Sequence, residues 1–222
     1  DALRPDEIKI YPCQLLENAE LYRWWRRGQY TPYSTEDLIR LIADAKETVP
    51  KYCRVNRVVR DIPSTRVVAG CRRTSLRQDV QHELHRRGKR CACIRCREIG
   101  SAQMDSSDLL EENLTYLAGG AEEHFLSYVT PEDRLVGYLR LSLPGPDSPE
   151  THLDEIREAA LVRELHIYGQ SLPLGEMEEG AAQHAGLGAR LMAKAESLAK
   201  ERGYRRMSVI ASLGTRAYYQ RQ

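Results

Sequence analysis

Gln183-His184-Ala185-Gly186-Leu187-Gly188-Ala189, running into the apolar helix Leu191-Met192-Ala193-Lys194-Ala195, is the stretch that decides how this chain folds. Glycines at a helix start let the backbone approach a ligand closely. The helix then aims several unpaired N–H groups and the positive end of its dipole at one point. Such a turn is an anion cradle, and a diphosphate fits it. Upstream, Ala160-Leu161-Val162-Arg163-Glu164-Leu165-His166-Ile167-Tyr168 alternates as a strand does, and Arg206-Met207-Ser208-Val209-Ile210-Ala211 downstream forms another. The order strand, loop, glycine-rich turn, helix, strand predicts an α/β domain. A dinucleotide fingerprint would need Gly-x-Gly-x-x-Gly and an acidic residue about 20 positions later; no third glycine follows Gly188 at that spacing. The plain alternative is that Gly186 and Gly188 only shape a helix start.

A chain of 222 residues, 41% hydrophobic, suits one large or two small domains with ample core. No apolar run approaches the about 20 residues needed to cross a bilayer. The first residues, with Arg4, Asp6 and Glu7, lack a signal-peptide apolar region. The expectation is a cytoplasmic protein with no membrane partner. The net charge of +1 conceals an asymmetry, because residues 51–100 hold 14 basic and 4 acidic side chains, a surplus of ten. Residues 101–222 hold 12 basic and 19 acidic ones. An arginine-rich surplus of that size suggests a polyanion-binding face, with Arg54, Arg57, Arg60, Arg72, Arg73 and Arg77 as candidate contacts to nucleic acid. The alternative is a solvated or interdomain surface balanced by the acidic last segment.

Along the chain, Ile8 to Cys13 reads as a short strand ended by Pro12, and Leu21 to Arg27 as a helical turn or two stopped by Gly28. Ser34 with Asp37 makes a capping-box-like start, after which Leu38, Ile39, Leu41, Ile42, Ala45 and Val49 recur at helical spacing. Cys53 to Arg60 alternates basic and apolar positions like a strand. Leu76, Val80 and Leu84 define a second amphipathic helix closed by Gly88. Short strands follow at Leu114–Leu117, Phe125–Val129 and Leu135–Leu143, then a Pro/Gly-rich break. A domain boundary is expected near residues 97–108.

Three of the six cysteines fall in Cys91-x-Cys93-x-x-Cys96. Clustering of this kind without a secretory signal points to a metal, and thiolates about 2.3 Å from zinc satisfy its tetrahedral preference. His82, His85 or Cys71 could supply the fourth ligand, and the spacing does not choose among them. Buried free thiols are the alternative.

The spacing of Gln183, Gly186 and Gly188 resembles motif A of the GNAT acetyltransferases, whose backbone amides hold the diphosphate of acetyl-CoA. More widely, the chain resembles the carboxy-terminal part of the Elongator catalytic subunit family, which are radical-SAM and GNAT-type tRNA-modifying proteins. The strings that carry this are Ile8-Lys9-Ile10-Tyr11-Pro12, Arg57 through Thr65, Cys91 through Glu98, Arg163 through Gly169, Gln183-His184 and Gly214 through Tyr219. The resemblance implies a partial radical-SAM barrel remnant over residues 1–70, a zinc-binding basic linker over 71–100 and a GNAT-like acetyl-CoA-binding domain over 101–222. It implies tRNA and other Elongator-type subunits as partners. The implied reaction is carboxymethylation at carbon 5 of the wobble uridine, with acetyl-CoA, S-adenosylmethionine and a [4Fe-4S] cluster serving the full-length protein.

The resemblance also implies site residues. Backbone of Glu164, Leu165, His166 and Ile167 would pair with the pantetheine arm, while Gln183, His184, Ala185, Gly186, Leu187 and Gly188 cradle the diphosphate. Tyr218 or Tyr219, the latter preferred, would hydrogen-bond or protonate the departing thiolate, and Glu164 and His166 would orient water or the thioester. The Cys-x-x-x-Cys-x-x-Cys pattern of the radical half is not among these 222 residues. The expectation is therefore a fragment that binds acetyl-CoA without generating a radical. Two rivals stand beside this reading, a conventional lysine or small-amine N-acetyltransferase and a non-enzymatic zinc and RNA-binding scaffold.

Overall fold

The computed structural model of this chain describes residues 3–100, 108–168 and 186–220. Its described part divides into two compact units, one over Pro5–Cys96 and one over Arg97–Gln222 together with Asp1–Arg4. Among the described residues no helix is long and apolar enough to cross a membrane.

In the Pro5–Cys96 unit, β1 (Glu7–Lys9) pairs in parallel with β3 (Arg54–Arg57), and β2 (Gln14–Leu16) pairs antiparallel with β4 (Val67–Gly70). Between them run α1 (Glu20–Arg26) and α2 (Thr35–Glu47), α3 (Leu76–Arg86) follows β4, and the short α4 (Ile94–Arg97) comes after α3. Ser34 caps α2 as its sequence predicts: its Oγ accepts from the Asp37 amide at 3.0 Å and donates to the Asp37 carboxylate at 2.7 Å. Ser34→Ala is expected to cost about 1 kcal/mol, read as a lowered urea midpoint with an unchanged slope.

The buried face of α2 is Leu38, Ile42, Ala43 and Lys46, whereas Leu41 is 52% exposed and Ala45 lies outward. The helix is therefore rotated slightly from the stripe read in the sequence, and a lysine completes its inner face. In α3, Leu76, Val80 and Leu84 are all buried as their spacing predicts. On β3 an extra residue, Asn56, sits between the pairs Ile8↔Val55 and Lys9↔Arg57. The bulge shifts the alternation so that Val58, not Arg57, turns inward.

The second unit is a five-stranded sheet in the order β5 (Leu110–Ala118), β6 (Ala121–Val129), β7 (Leu135–Pro144), β8 (Ala160–Ile167) and β9 (Met207–Val209). Neighbours are antiparallel except β8 and β9, which are parallel and joined through α5 (Leu187–Glu201). One core joins Leu126, Tyr128, Leu139, Leu141, Val162 and their neighbours on the sheet to Leu187, Leu191, Met192, Ala195 and Ala199 of α5. Burial of each large apolar side chain contributes roughly 1.5–3 kcal/mol, so this helix is fixed on the sheet by its inner face. The chain closes with a 3₁₀ turn at Leu213–Thr215 and α6 (Arg216–Tyr219).

Candidate functional site

Two features position a site at the start of α5. First, β8 outruns β9: the two pair only through Ala160↔Met207, Leu161↔Ser208 and Val162↔Val209. Beyond the last of these pairs β8 continues to Ile167, held by β7 on one side. Second, at the point of divergence β8 carries a bulge, with Arg163 inserted between the pairs Leu141↔Val162 and Arg140↔Glu164. Two chain segments that part in this way leave backbone groups of the longer strand open to an added extended ligand.

Gly186 caps α5 with φ +67°, a left-handed conformation suited to glycine, and as a glycine it offers no side-chain acceptor to the first-turn amides. A Cβ added at Gly186 would meet nothing within 4 Å. A Cβ on Gly188 would lie 2.8 Å from the Tyr218 hydroxyl and 3.9 Å from the side chains of both Leu165 and Ile167. The glycine turn, the open half of β8 and α6 thus converge, although the sequence separates them by up to about fifty positions. Gln183, His184 and Ala185 lie outside the described residues.

Of the two tyrosines, Tyr218 turns its hydroxyl to the helix start, while Tyr219 packs against the core and meets the Tyr218 ring edge-on at 5.1 Å. Burial pushes both phenols up, and Tyr219 is raised further by Tyr218. Each therefore carries its proton at neutral pH.

Glu164 and His166 lie on the opposite side of β8 from Leu165 and Ile167. The Arg140 Nε donates to Glu164 Oε2 at 2.9 Å and the Tyr138 hydroxyl donates to Oε1 at 2.5 Å. Burial, then the bond to Glu164, pushes the Tyr138 phenol up. Sequence reasoning missed Tyr138 and Arg140. Their signal was present as polar residues alternating with Leu139 and Leu141 on a strand buried on both faces.

In the Pro5–Cys96 unit the Cys91, Cys93 and Cys96 sulfurs all lie within 4.8 Å of one another. Around a tetrahedral zinc ion with bonds of about 2.3 Å, sulfurs sit roughly 3.8 Å apart, so the three thiols fit such a metal. His82, His85 and Cys71 do not join this group, and among the described residues it comprises the three thiols. Fully buried Lys46 donates to Cys96 Sγ at 3.6 Å, and Ile94 donates its amide to the Cys53 carbonyl, fixing the loop. Bonds from Cys91 and Cys96 hold the Cys93 thiol well below its ordinary range, while the bond to Cys93 pushes Cys91 up.

The arginines meet different fates. Arg77 donates to the Val55 and Asn56 carbonyls of β3 at 3.0 Å each, and Arg73 forms a two-pronged pair with Asp79. Arg57 pairs with Asp61, and Arg54 donates to Asn56. Arg60 lies over the Tyr11 ring at 5.3 Å, and exposed Arg72 donates to the Val68 carbonyl. Part of the positive surplus is thus spent inside the unit, with Arg77 acting as a brace for β3.

Residues 5–86 match the Radical_SAM C-terminal domain family. The chain is 42% identical over 219 residues to a tRNA uridine(34) acetyltransferase of Dehalococcoides mccartyi, covering 97% of this chain and 48% of that protein. It is 38% identical over 229 residues to Elongator complex protein 3 of Mus musculus, covering 99% of this chain and 41% of the relative. Among solved structures, Methanocaldococcus infernus Elp3 with an N-terminus deletion (1-46) superposes with a TM-score of 0.86 at 36% identity, covering 98% of this chain and 52% of that one. The chain spans about half the length of the curated relatives it matches. With its glycine-capped helix, its diverging strands and its three-cysteine loop, the chain is homologous to the carboxy-terminal part of the Elongator catalytic subunit family, that of the tRNA uridine(34) acetyltransferases and Elongator complex protein 3.

Proposed function

We propose that residues 97–222 form a GNAT-like acetyl-CoA site and that the chain serves the acetyltransferase part of a tRNA wobble-uridine-modifying enzyme. The observation that carries this is the convergence of Gly188, Tyr218, Leu165 and Ile167 at the start of a helix capped by a glycine in the left-handed conformation. The amides of the glycine turn receive the diphosphate, and backbone of the open half of β8 pairs with the pantetheine arm. The Tyr218 hydroxyl stands at the helix start beside Gly188, and Tyr219 supports it from the core. A protonated phenol there gives its proton to the departing thiolate. Acetyl-CoA supplies the activated acetyl thioester.

Glu164 already accepts on both carboxylate oxygens, which counts against its serving as base for a lysine acceptor. Cys91, Cys93 and Cys96 would hold a zinc ion, which would fix the loop that follows α3. The radical step assigned to the whole enzyme needs S-adenosylmethionine and a [4Fe-4S] cluster. The six cysteines of this chain do not form the cluster pattern, so no step here runs through it. Acetyl-CoA turnover by the full chain, measured with tRNA, with a lysine peptide and with neither, tests the reading. Stimulation by tRNA alone is expected, and stimulation by the peptide alone would replace it with the conventional N-acetyltransferase.

For tRNA contact the reading uses exposed arginines of the Pro5–Cys96 unit, Arg60, Arg72 and Arg73 foremost, with Arg54 and Arg57 beside them. Reversing Arg60, Arg72 and Arg73 to glutamate is expected to weaken tRNA binding at least about tenfold at ~0.1 M salt. The log–log salt slope should shrink by about three. Unchanged affinity and slope would show that these arginines serve the fold alone.

A further inference from the structure

The side of β8 turned away from α5 carries a second constellation that the diphosphate cradle does not use. Tyr138 and His166 are partners across β7 and β8, and their rings stack 6.0 Å apart at 19°. The Tyr168 ring lies 4.4 Å from His166 and 6.2 Å from Tyr138. Two pairs further along, on the same face, Arg140 faces Glu164. The base of this cluster is rigid, with Tyr138 and Arg140 only 1% and 2% exposed and the Arg140 guanidinium over both the Phe125 and Tyr138 rings. Its rim is accessible: His166 is exposed and the Glu164 side chain is 39% exposed.

A carboxylate has about four lone-pair sites. Glu164 uses one on each oxygen for Tyr138 and Arg140, and its solvent-facing side can still accept from a ligand. Because two donors clamp it, the carboxylate presents a fixed acceptor rather than a mobile one. An accessible aromatic face beside a fixed acceptor is the chemistry that reads a nucleobase drawn out of its stack: the ring stacks on the aromatic side chains and its edge donates to the carboxylate. We infer that Glu164, His166 and Tyr168 form a subsite for an unstacked uracil base, with Glu164 accepting from the uracil N3–H and the His166 and Tyr168 rings supplying the stacking surface. Uracil carries a proton on N3 at neutral pH. Cytosine has a lone pair there, which would face the carboxylate and leave both groups unsatisfied. This rests on the proposed tRNA reading and adds to it the means by which uridine is told from cytidine.

The test uses the full chain and anticodon stem-loop RNAs of one sequence bearing uridine, cytidine or N3-methyluridine at the wobble position, with binding read by fluorescence anisotropy. The uridine RNA is expected to bind at least about tenfold more tightly than either of the others, the loss of one hydrogen bond to a charged group. In Glu164→Gln, whose amide presents either a donor or an acceptor, the three affinities should fall within about threefold of one another. Tyr168→Leu should instead weaken all three by at least about fivefold and keep their ratio, since stacking is tolerant of base identity. Equal binding of the three RNAs by the parent, or full discrimination by a folded Glu164→Gln, would overturn the subsite and leave the tRNA reading in place. Failure of every RNA to bind would overturn both. If Glu164→Gln does not fold, the parent comparison of uridine with N3-methyluridine still decides, because it removes the same hydrogen bond from the ligand side.

Discussion

Gly188→Asp should weaken acetyl-CoA binding by at least about a hundredfold while leaving the fold as stable as the parent or more so. In the proposed cradle the diphosphate would accept several charge-assisted hydrogen bonds from the glycine turn, each worth about 1.5–3 kcal/mol, and the new carboxylate would both occupy their place and repel the ligand. The same carboxylate lies in the first turn of α5, where a negative charge stabilises a helix by about 0.3–1 kcal/mol. Replacing a helical glycine removes a further cost of about 0.5–1 kcal/mol. The added Cβ crowds the tip of the Tyr218 side chain, which can swing aside, and meets Leu165 and Ile167 at ordinary contact distance. Gly186 is a poorer place for the test, because at φ +67° any other residue adds backbone strain. Calorimetric titration beside a melting curve separates the two effects. Undiminished acetyl-CoA affinity in a folded Gly188→Asp protein would remove the cradle.

Loss of the metal should be the largest perturbation of the Pro5–Cys96 unit. Purified chain is expected to carry about one zinc ion per molecule, and Cys93→Ser or prolonged chelation should cost on the order of 5 kcal/mol or more. The cause lies in the burial of the loop. Cys91 and Cys93 are 5% and 0% exposed, and without a cation the three neighbouring sulfurs lose the ion that would draw them together. Metal analysis finding no zinc, or a Cys93→Ser protein that melts with the parent, would contradict the assignment.

Much of the second unit was legible because its periods are strong. The β8 alternation, the α5 stripe and the return strand β9 all appear where the sequence places them, with ends moved by a residue or two. Local spacing also brought the three cysteines together. What escaped were consequences of phase. The Arg163 and Asn56 bulges reset alternation in the middle of a strand, and no propensity marks a one-residue insertion. Lys46 was hidden in plain spacing, since it follows Leu38 and Ile42 at intervals of four on the inner face of α2. A lysine is ordinarily read as outward, and its bond to the half-buried Cys96 sulfur makes its inward place tolerable. The arginine surplus was visible as a count, but its division between braces such as Arg77 and surface groups such as Arg72 depends on pairings far apart in sequence.

Under the proposed function, backbone amides at the start of α5 hold the acetyl-CoA diphosphate. Amide hydrogen exchange of the full chain, followed at residue resolution with and without saturating acetyl-CoA, tests it directly. The amides of Gly186, Leu187, Gly188 and Ala189 should gain protection of at least about tenfold, together with those along the open half of β8, while the interior of α5 changes little. Binding of acetyl-CoA that leaves these amides exchanging at their ligand-free rates would contradict it.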